Sequence, residues 1–143
     1  MKSSLPWRLA RDESGTSAVE FAIVVPTLFT LIFSLMEADF ALFNFQQIQA
    51  VASDTARCMA IGSSLCSSGA ATYAINMSAP GHAVGGMTAS MVTSNTNATC
   101  GSQANMTKIT IAYPLAKALP LNFIPSFMNG YTLTGIGCFP NIS

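Results

Sequence analysis

The feature that most constrains this chain is an uncharged apolar run from Phe21 to Met36, with the sequence FAIVVPTLFTLIFSLM. Together with residues 16–19 and a neutralised Glu20, the run makes a stretch of about 21 residues. A helix of that length, at about 1.5 Å per residue, is roughly 31 Å long, close to the ~30 Å hydrocarbon core of a bilayer. The run therefore predicts a segment that spans a membrane or passes through a membrane state.

Composition limits the rest of the chain to one small domain and excludes one class of partner. The chain has 143 residues, and 8% of them are charged, against roughly 25% in an ordinary soluble domain. Six basic and six acidic side chains cancel, so no basic patch is available to bind nucleic acid.

The segment before the apolar run, residues 1–15, is polar and basic and is predicted to be a leader peptide. A secretory signal is cut after its apolar stretch, whereas the small-residue junction here, Gly15–Thr16, precedes it. The leader's basic residues, Lys2, Arg8 and Arg11, favour a cytoplasmic N-terminus. The chain after Met36 is then expected outside the cytoplasm.

The helical pattern continues beyond the apolar run to about Ile61, with a kink expected at Pro26 and Gly62 as C-cap. From residue 45 onward the pattern is amphipathic. Its predicted buried face is Phe45, Ile48, Val51 or Ala52, Thr55 and Met59, and its polar face is Gln46, Gln49, Ser53, Asp54 and Arg57. Glu37 and Asp39, between the two parts, are expected to be solvated charges at the outer membrane face, and the alternative is contact with a partner.

The remainder of the chain predicts a short helix and three strands. The helix is expected over 70–78, after a Ser/Gly linker, and the strands over 87–93, 107–113 and 131–139. Two glycines in the last strand suggest a bulge, and the proline-rich stretch 114–127 is excluded as a central strand. The predicted fold class is α+β: a long N-terminal, partly transmembrane helix packed on a small, mainly antiparallel sheet and crosslinked by disulfides.

All four cysteines follow the apolar run, which is typical of a domain that folds in an oxidising compartment. Four cysteines allow three connectivities, and the alternative is four free thiols in a cytosolic domain. We favour Cys58–Cys66, at the end of the helix, and Cys100–Cys138, joining the sheet's approach to its last strand. No CxxC pair occurs, which argues against a zinc site.

The segment GTSAVEF at 15–21, followed by the apolar run, resembles the processing site of type IV prepilins. More narrowly, residues 15–38, the later DTARCMAIG at 54–62 and the TKITIAYP strand at 107–114 resemble TadE-like pseudopilins. These are minor pilins of the tight-adherence (Flp) branch of type IV pilus systems. The resemblance is specific over residues 15–62. Some prepilin branches have phenylalanine at the first mature position, where this chain has Thr16.

The resemblance implies a structural protein with four segments. They are a leader at 1–15, a transmembrane assembly helix at 16–36, its amphipathic continuation at 37–62 and an extracytoplasmic domain at 63–143. It also implies cleavage between Gly15 and Thr16 by a prepilin peptidase. The expected location is the bacterial inner membrane, as a single-pass protein, with the cell-surface pilus as a further location. Expected partners are that peptidase, other pilin or pseudopilin subunits and the pilus assembly machinery in the inner membrane.

Glu20 and Phe21 are the residues that this resemblance assigns to subunit assembly. A carboxylate at the edge of an apolar helix is costly unless it is paired. Cleavage after Gly15 creates an α-amino group four residues before Glu20, and in staggered parallel helices that ammonium can face a neighbour's Glu20. The alternative is that Glu20 only reaches the lipid headgroups.

Nothing in the sequence predicts catalysis, a cofactor or a metal site. The only histidine, His82, has no second histidine to complete a metal site, and no nucleophile elbow or phosphate-binding loop occurs. Two other functions stay open. One is an uncleaved, membrane-anchored periplasmic binding module. The other is a secreted disulfide-bonded glycoprotein, suggested by four sequons, at Asn76, Asn97, Asn105 and Asn141.

The junction itself can be tested by substituting Gly15. Glycine has no Cβ, so a protease at the membrane face can approach the backbone closely there. Gly15→Arg should therefore leave full-length protein in the membrane, as measured by N-terminal determination on membrane-extracted protein. Normal trimming of this variant would show that Gly15 does not define the cleavage site.

Overall fold

The computed structural model describes residues 14–78, 86–119 and 130–142. In chain order its helices and strands are α1 (Ser14–Ala60), α2 (Ala70–Met77), β1 (Val92–Cys100), β2 (Gln103–Pro114), α3 (Leu115–Ala118) and β3 (Thr132–Pro140). Two short 3-10 turns, Ser64–Cys66 and Ala89–Met91, precede α2 and β1. The long N-terminal helix and the small sheet confirm the predicted α+β class. The predicted leader up to residue 13 and His82 lie outside the described residues.

The chain divides into two compact units between Met36 and Glu37. The first contains the apolar part of α1. The second contains the remainder of α1 together with α2, α3 and the sheet. The amphipathic part of α1 therefore folds with the sheet domain.

The sheet has three antiparallel strands in the order β1-β2-β3. The alternation of apolar residues in β2 is as predicted, and Ile109, Ile111 and Tyr113 are buried on one face of the sheet. Burial also raises the pKa of Tyr113. The first strand was placed too early: Ala89–Met91 is a 3-10 turn, and pairing with β2 begins at Val92. Beyond that point Thr93, Ser94 and Asn95 pair with β2. Serine and asparagine have low strand propensity, but β2 supplies a partner edge.

Residues of α1 from Ile48 onward pack on the buried face of the sheet. Ile48, Val51, Ala52 and Thr55 are buried as predicted, and they join a core that includes the β2 residues. The prediction for Phe45 was wrong, since its side chain is 42% exposed. The buried position in that turn belongs to Asn44, whose amide donates to the carbonyls of Phe40 (2.7 Å) and Ala118 (3.0 Å).

Two glycines of β3 let the α1 backbone approach the strand. Gly135 and Gly137 alternate with exposed residues, so both face α1. A Cβ built on Gly135 would lie 2.8 Å from the carbonyl oxygen of Ile48, and one built on Gly137 would lie even closer to the carbonyl oxygen of Ala52. The bulge expected at these glycines is absent, because β3 pairs with β2 in unbroken register from Thr132 to Pro140. Register shifts occur instead in β1, between Asn95 and Cys100.

Gly62 ends α1 as predicted. It has φ +63°, the left-handed conformation that a residue without Cβ adopts readily. The N–H of Gly62 donates to the carbonyl of Met59, and the N–H of Ser63 donates to that of Cys58, both at 3.2 Å. This pair of bonds is a Schellman motif. It turns the chain back so that Cys66 can reach Cys58.

The structure pairs Cys58 with Cys66 and Cys100 with Cys138, the connectivity that we favour from the sequence. Both sulfurs of the first pair belong to buried residues, whereas Cys100 and Cys138 are half-buried. The second disulfide joins the end of β1 to β3, which are not neighbours in the sheet. It therefore fixes both outer strands around β2.

Substitution of Gly137 tests the close packing of α1 on β3. Gly137→Ala places a methyl group against the Ala52 carbonyl, and overpacking of this kind costs typically about 1–3 kcal/mol. We expect the free energy of unfolding of the full chain in detergent to fall by about 3 kcal/mol. Thr134→Ala, at an exposed position of the same strand, is the matched control and should change it little. Equal stability of the two variants would mean that the strand can move away from α1 at no cost.

The two disulfides should differ in stabilisation and in accessibility to reductant. Their sequence separations are 8 and 38 residues, which correspond to about 2.5 and about 4 kcal/mol in the chain-entropy model. We expect the Cys100→Ser/Cys138→Ser variant to lose more stability than the Cys58→Ser/Cys66→Ser variant. In the native wild type, alkylation mapping during reductant titration should show the half-buried Cys100–Cys138 opening first. The opposite order would mean that the Cys58 end of α1 opens locally.

Candidate functional site: an exposed apolar helix

The apolar part of α1 presents its large side chains outward. Eleven large apolar side chains in this part are each 41–70% exposed: Val19, Phe21, Ile23, Val24, Leu28, Phe29, Leu31, Ile32, Phe33, Leu35 and Met36. Burying one such side chain completely is worth roughly 1.5–3 kcal/mol. Half of that, over the whole set, is comparable with the 5–15 kcal/mol that stabilises an entire domain. This surface therefore requires lipid or protein around it.

One helix in the described part of the chain, within Gly15–Ala60, is long and apolar enough to cross a membrane. None of its most apolar window is buried inside the structure. The core helix of a soluble protein is mostly buried, so this helix differs from one. An N-terminal apolar helix of this kind can anchor the chain in a membrane.

The few hydroxyl groups of the apolar part bond to the helix's own backbone. Thr27 donates to the carbonyl of Ile23 (3.2 Å), Thr30 to that of Thr27 (2.8 Å) and Ser34 to that of Thr30 (2.7 Å). A hydroxyl left unpaired in hydrocarbon would cost several kcal/mol. These bonds make the polar residues of the segment compatible with an apolar environment.

The residues expected at the cleavage and assembly site lie together in the first two turns of α1. Gly15, Thr16, Glu20 and Phe21 are all helical, and all are exposed. Nothing lies within 4 Å of a Cβ built on Gly15. Thr16 and Glu20 are four residues apart, and that spacing places them on one side of the helix. The cysteines belong to the second unit and form no part of this site.

The two acidic residues that follow the apolar run differ in environment. Asp39 is exposed, as expected for a solvated charge. Both carboxylate oxygens of Glu37 are shielded from solvent, and they accept no hydrogen bond within the described residues. The expectation of a solvated charge is therefore wrong for Glu37. A shielded carboxylate is costly unless it gains a partner, which favours partner contact at this position.

Two of the four sequon asparagines serve the fold. The Nδ2 of Asn141, the atom that would carry a glycan, donates to the carbonyl of Thr96 and to the Oδ1 of Asn105 (3.1 Å). The hydroxyl of Thr107 donates to the Oδ1 of Asn141 (2.6 Å). This polar cluster holds the segment after β3 against the β1–β2 end of the sheet. These sequon residues thus have a structural role, which weakens the argument for a glycoprotein.

Within the described ranges, no group of three or more His, Cys, Asp or Glu residues could hold a metal ion.

Sequence reasoning missed Gln49, which it assigned to the solvent face of α1. Its side-chain amide donates to the carbonyl of Ile136 (2.6 Å) and accepts from the N–H of Ile136 (3.0 Å). No periodicity signals such a contact, because it depends on where β3 lies. The pair Gly135 and Gly137 was the available signal for close approach of another backbone.

These observations define a class: a disulfide-bonded α+β domain that continues from an exposed, membrane-compatible N-terminal helix. The model of the TadE-like protein family matches residues 15–57. The match begins at the glycine of the predicted cleavage site, and it confirms the TadE-like resemblance for this segment. The matched segment is thus similar to the N-terminal part of Tad pilus-associated, pilin-like proteins. No curated protein and no solved structure matches the chain.

Proposed function

We propose that this chain is a minor pilin or pseudopilin of a tight-adherence (Flp-type) pilus. A prepilin peptidase at the cytoplasmic membrane face removes the leader between Gly15 and Thr16. The mature subunit then takes part in pilus assembly together with other pilins and the inner-membrane assembly machinery. The pilus supports surface adhesion and colonisation.

The observation that carries this proposal is the contrast between the two parts of α1. From Val19 to Met36 the large side chains are exposed, whereas from Ile48 onward one face is buried under the sheet. A subunit with this arrangement can leave the bilayer for a bundle of similar helices while its domain stays folded. The family match over residues 15–57 includes both parts. The two disulfides are consistent with a domain located outside the cytoplasm.

Glu20 is the residue that sets the register between subunits in this proposal. Its carboxylate lies one turn after the amino group that cleavage creates on Thr16. In the bilayer, Glu20 lies near the boundary, where headgroups and water can solvate it. In a fibre of packed helices, the carboxylate of Glu20 pairs with the N-terminal ammonium of a neighbouring subunit, so that both charges are neutralised. The pair thus favours one stagger of the helices over others.

Glu20→Ala separates assembly from anchoring. If Glu20 pairs with a neighbour's ammonium, the variant leaves that ammonium unpaired in an apolar surrounding, which costs on the order of 3–5 kcal/mol for a buried pair. We expect normal insertion and a mature N-terminus at Thr16, with loss of the subunit from sheared pili and from crosslinked complexes with other pilins.

Asp54→Ala is the matched control, since Asp54 is an exposed carboxylate elsewhere on α1. It should assemble at the wild-type level. A cleaved Glu20→Ala protein that also assembles at that level would reject the register-setting role. An N-terminus at Met1 in the wild-type membrane protein would instead favour a permanent anchor.

A further inference from the structure

Among the described residues, β3 is an edge strand, with β2 on one side and no strand on the other. In an antiparallel sheet, alternate residues direct both their N–H and their C=O to the same neighbour. The β3 residues whose N–H and C=O groups point away from β2 can therefore pair with a strand from another molecule. Exposed edges of this kind are the usual sites of uncontrolled strand pairing.

Gln49 of α1 occupies the middle of this edge. Its Nε2 donates to the carbonyl of Ile136 and its Oε1 accepts from the N–H of the same residue. Ile136 is the central residue of Thr132–Pro140. The side-chain amide thus supplies the donor and the acceptor that a residue of an added strand would supply.

The position of α1 makes this contact possible. Because Gly135 and Gly137 have no side chains, the α1 backbone at Ile48 and Ala52 lies directly on β3. Gln49 lies between these two contacts in the sequence, so its side chain can reach around the strand to the outer edge. At the far end of the strand, Pro140 has no N–H to offer.

The opposite edge of the sheet is protected in a different way. β1 pairs irregularly with β2 between Asn95 and Cys100. The carbonyl of Thr96 accepts from Asn141, and the side chain of Asn95 accepts from the N–H of Asn97 (3.1 Å). Irregular pairing and local side-chain bonds leave less regular backbone for a new strand.

We propose that Gln49 closes the β3 edge to strand addition, so that the sheet of one copy does not extend into the sheet of another. The inference concerns the folded domain and does not rest on the proposed function. Within the proposed pilus, it means that subunits associate through the exposed apolar helix and not through their sheets.

The test compares four full-length proteins in detergent: wild type, Gln49→Met, Gln49→Ala and Gln46→Ala. Gln49→Met keeps the length of the side chain and removes both hydrogen bonds, whereas Gln49→Ala also opens space. Gln46 is exposed on the same helix, and Gln46→Ala is the control. Far-UV circular dichroism and disulfide mapping establish that each protein is folded.

The probe is a labelled peptide with the sequence of β2, QANMTKITIAYP, because this sequence already pairs with β3 in the chain. We expect at least tenfold tighter peptide binding by both Gln49 variants than by wild type and Gln46→Ala. Amide hydrogen exchange at Ile136 should accelerate at least tenfold in the same two variants.

Folded Gln49 variants that bind the peptide no better than wild type would overturn the proposal. So would peptide binding by the wild type at the level of the variants. Failure of both Gln49 variants to fold would also overturn it, since Gln49 would then be needed for the fold itself. None of these results bears on the Glu20 test, which monitors cleavage and incorporation.

Discussion

The contact on which the folded domain depends is the direct approach of the α1 backbone to β3. Gly135 and Gly137 remove the two side chains that would otherwise separate them, and any Cβ there would lie within 3 Å of a helix carbonyl oxygen. This approach allows small residues of α1, Ala52 and Ala56, to join the buried core that contains Ile109 and Ile111 of β2. A domain of this size has few large side chains to bury, so close backbone packing replaces part of the missing core volume.

The same helix meets two environments, and its residues change accordingly. Up to Met36 the apolar side chains are distributed around the whole helix, which suits lipid or a bundle of similar helices. From Ile48 onward the apolar side chains form one face, and polar side chains occupy the other. Glu37 lies where these parts meet, with its carboxylate shielded and no partner in the described chain.

Polar side chains close the ends and edges of the small sheet. Gln49 binds the outer edge of β3, while Asn141 joins the last segment to Thr96 and Asn105. The disulfide Cys100–Cys138 connects the two outer strands. Each of these contacts involves a small part of the sheet. Together they stabilise a three-stranded sheet that would be only marginally stable by itself.

The sequence by itself determined the features that depend on local chemistry. The length and lack of charge of residues 21–36 predicted the exposed apolar helix, Gly62 predicted its end, and alternation at Ile109, Ile111 and Tyr113 predicted the central strand. The spacing of Gly15 and Glu20 supported a resemblance that the family match confirms over residues 15–57. These features can be recognised in the sequence because each depends on residues that lie close together along the chain.

Tertiary structure decided the features that depend on which elements touch. It placed Asn44 and not Phe45 in the interior, since Asn44 finds the carbonyl of Ala118 there. It made the two β3 glycines a packing surface instead of a bulge, and it turned Gln49 from a solvent-facing residue into a partner for Ile136. These partners are separated by more than 70 residues. Residues so far apart in the sequence share no periodic pattern, so their contact could not be predicted and is seen only in the folded chain.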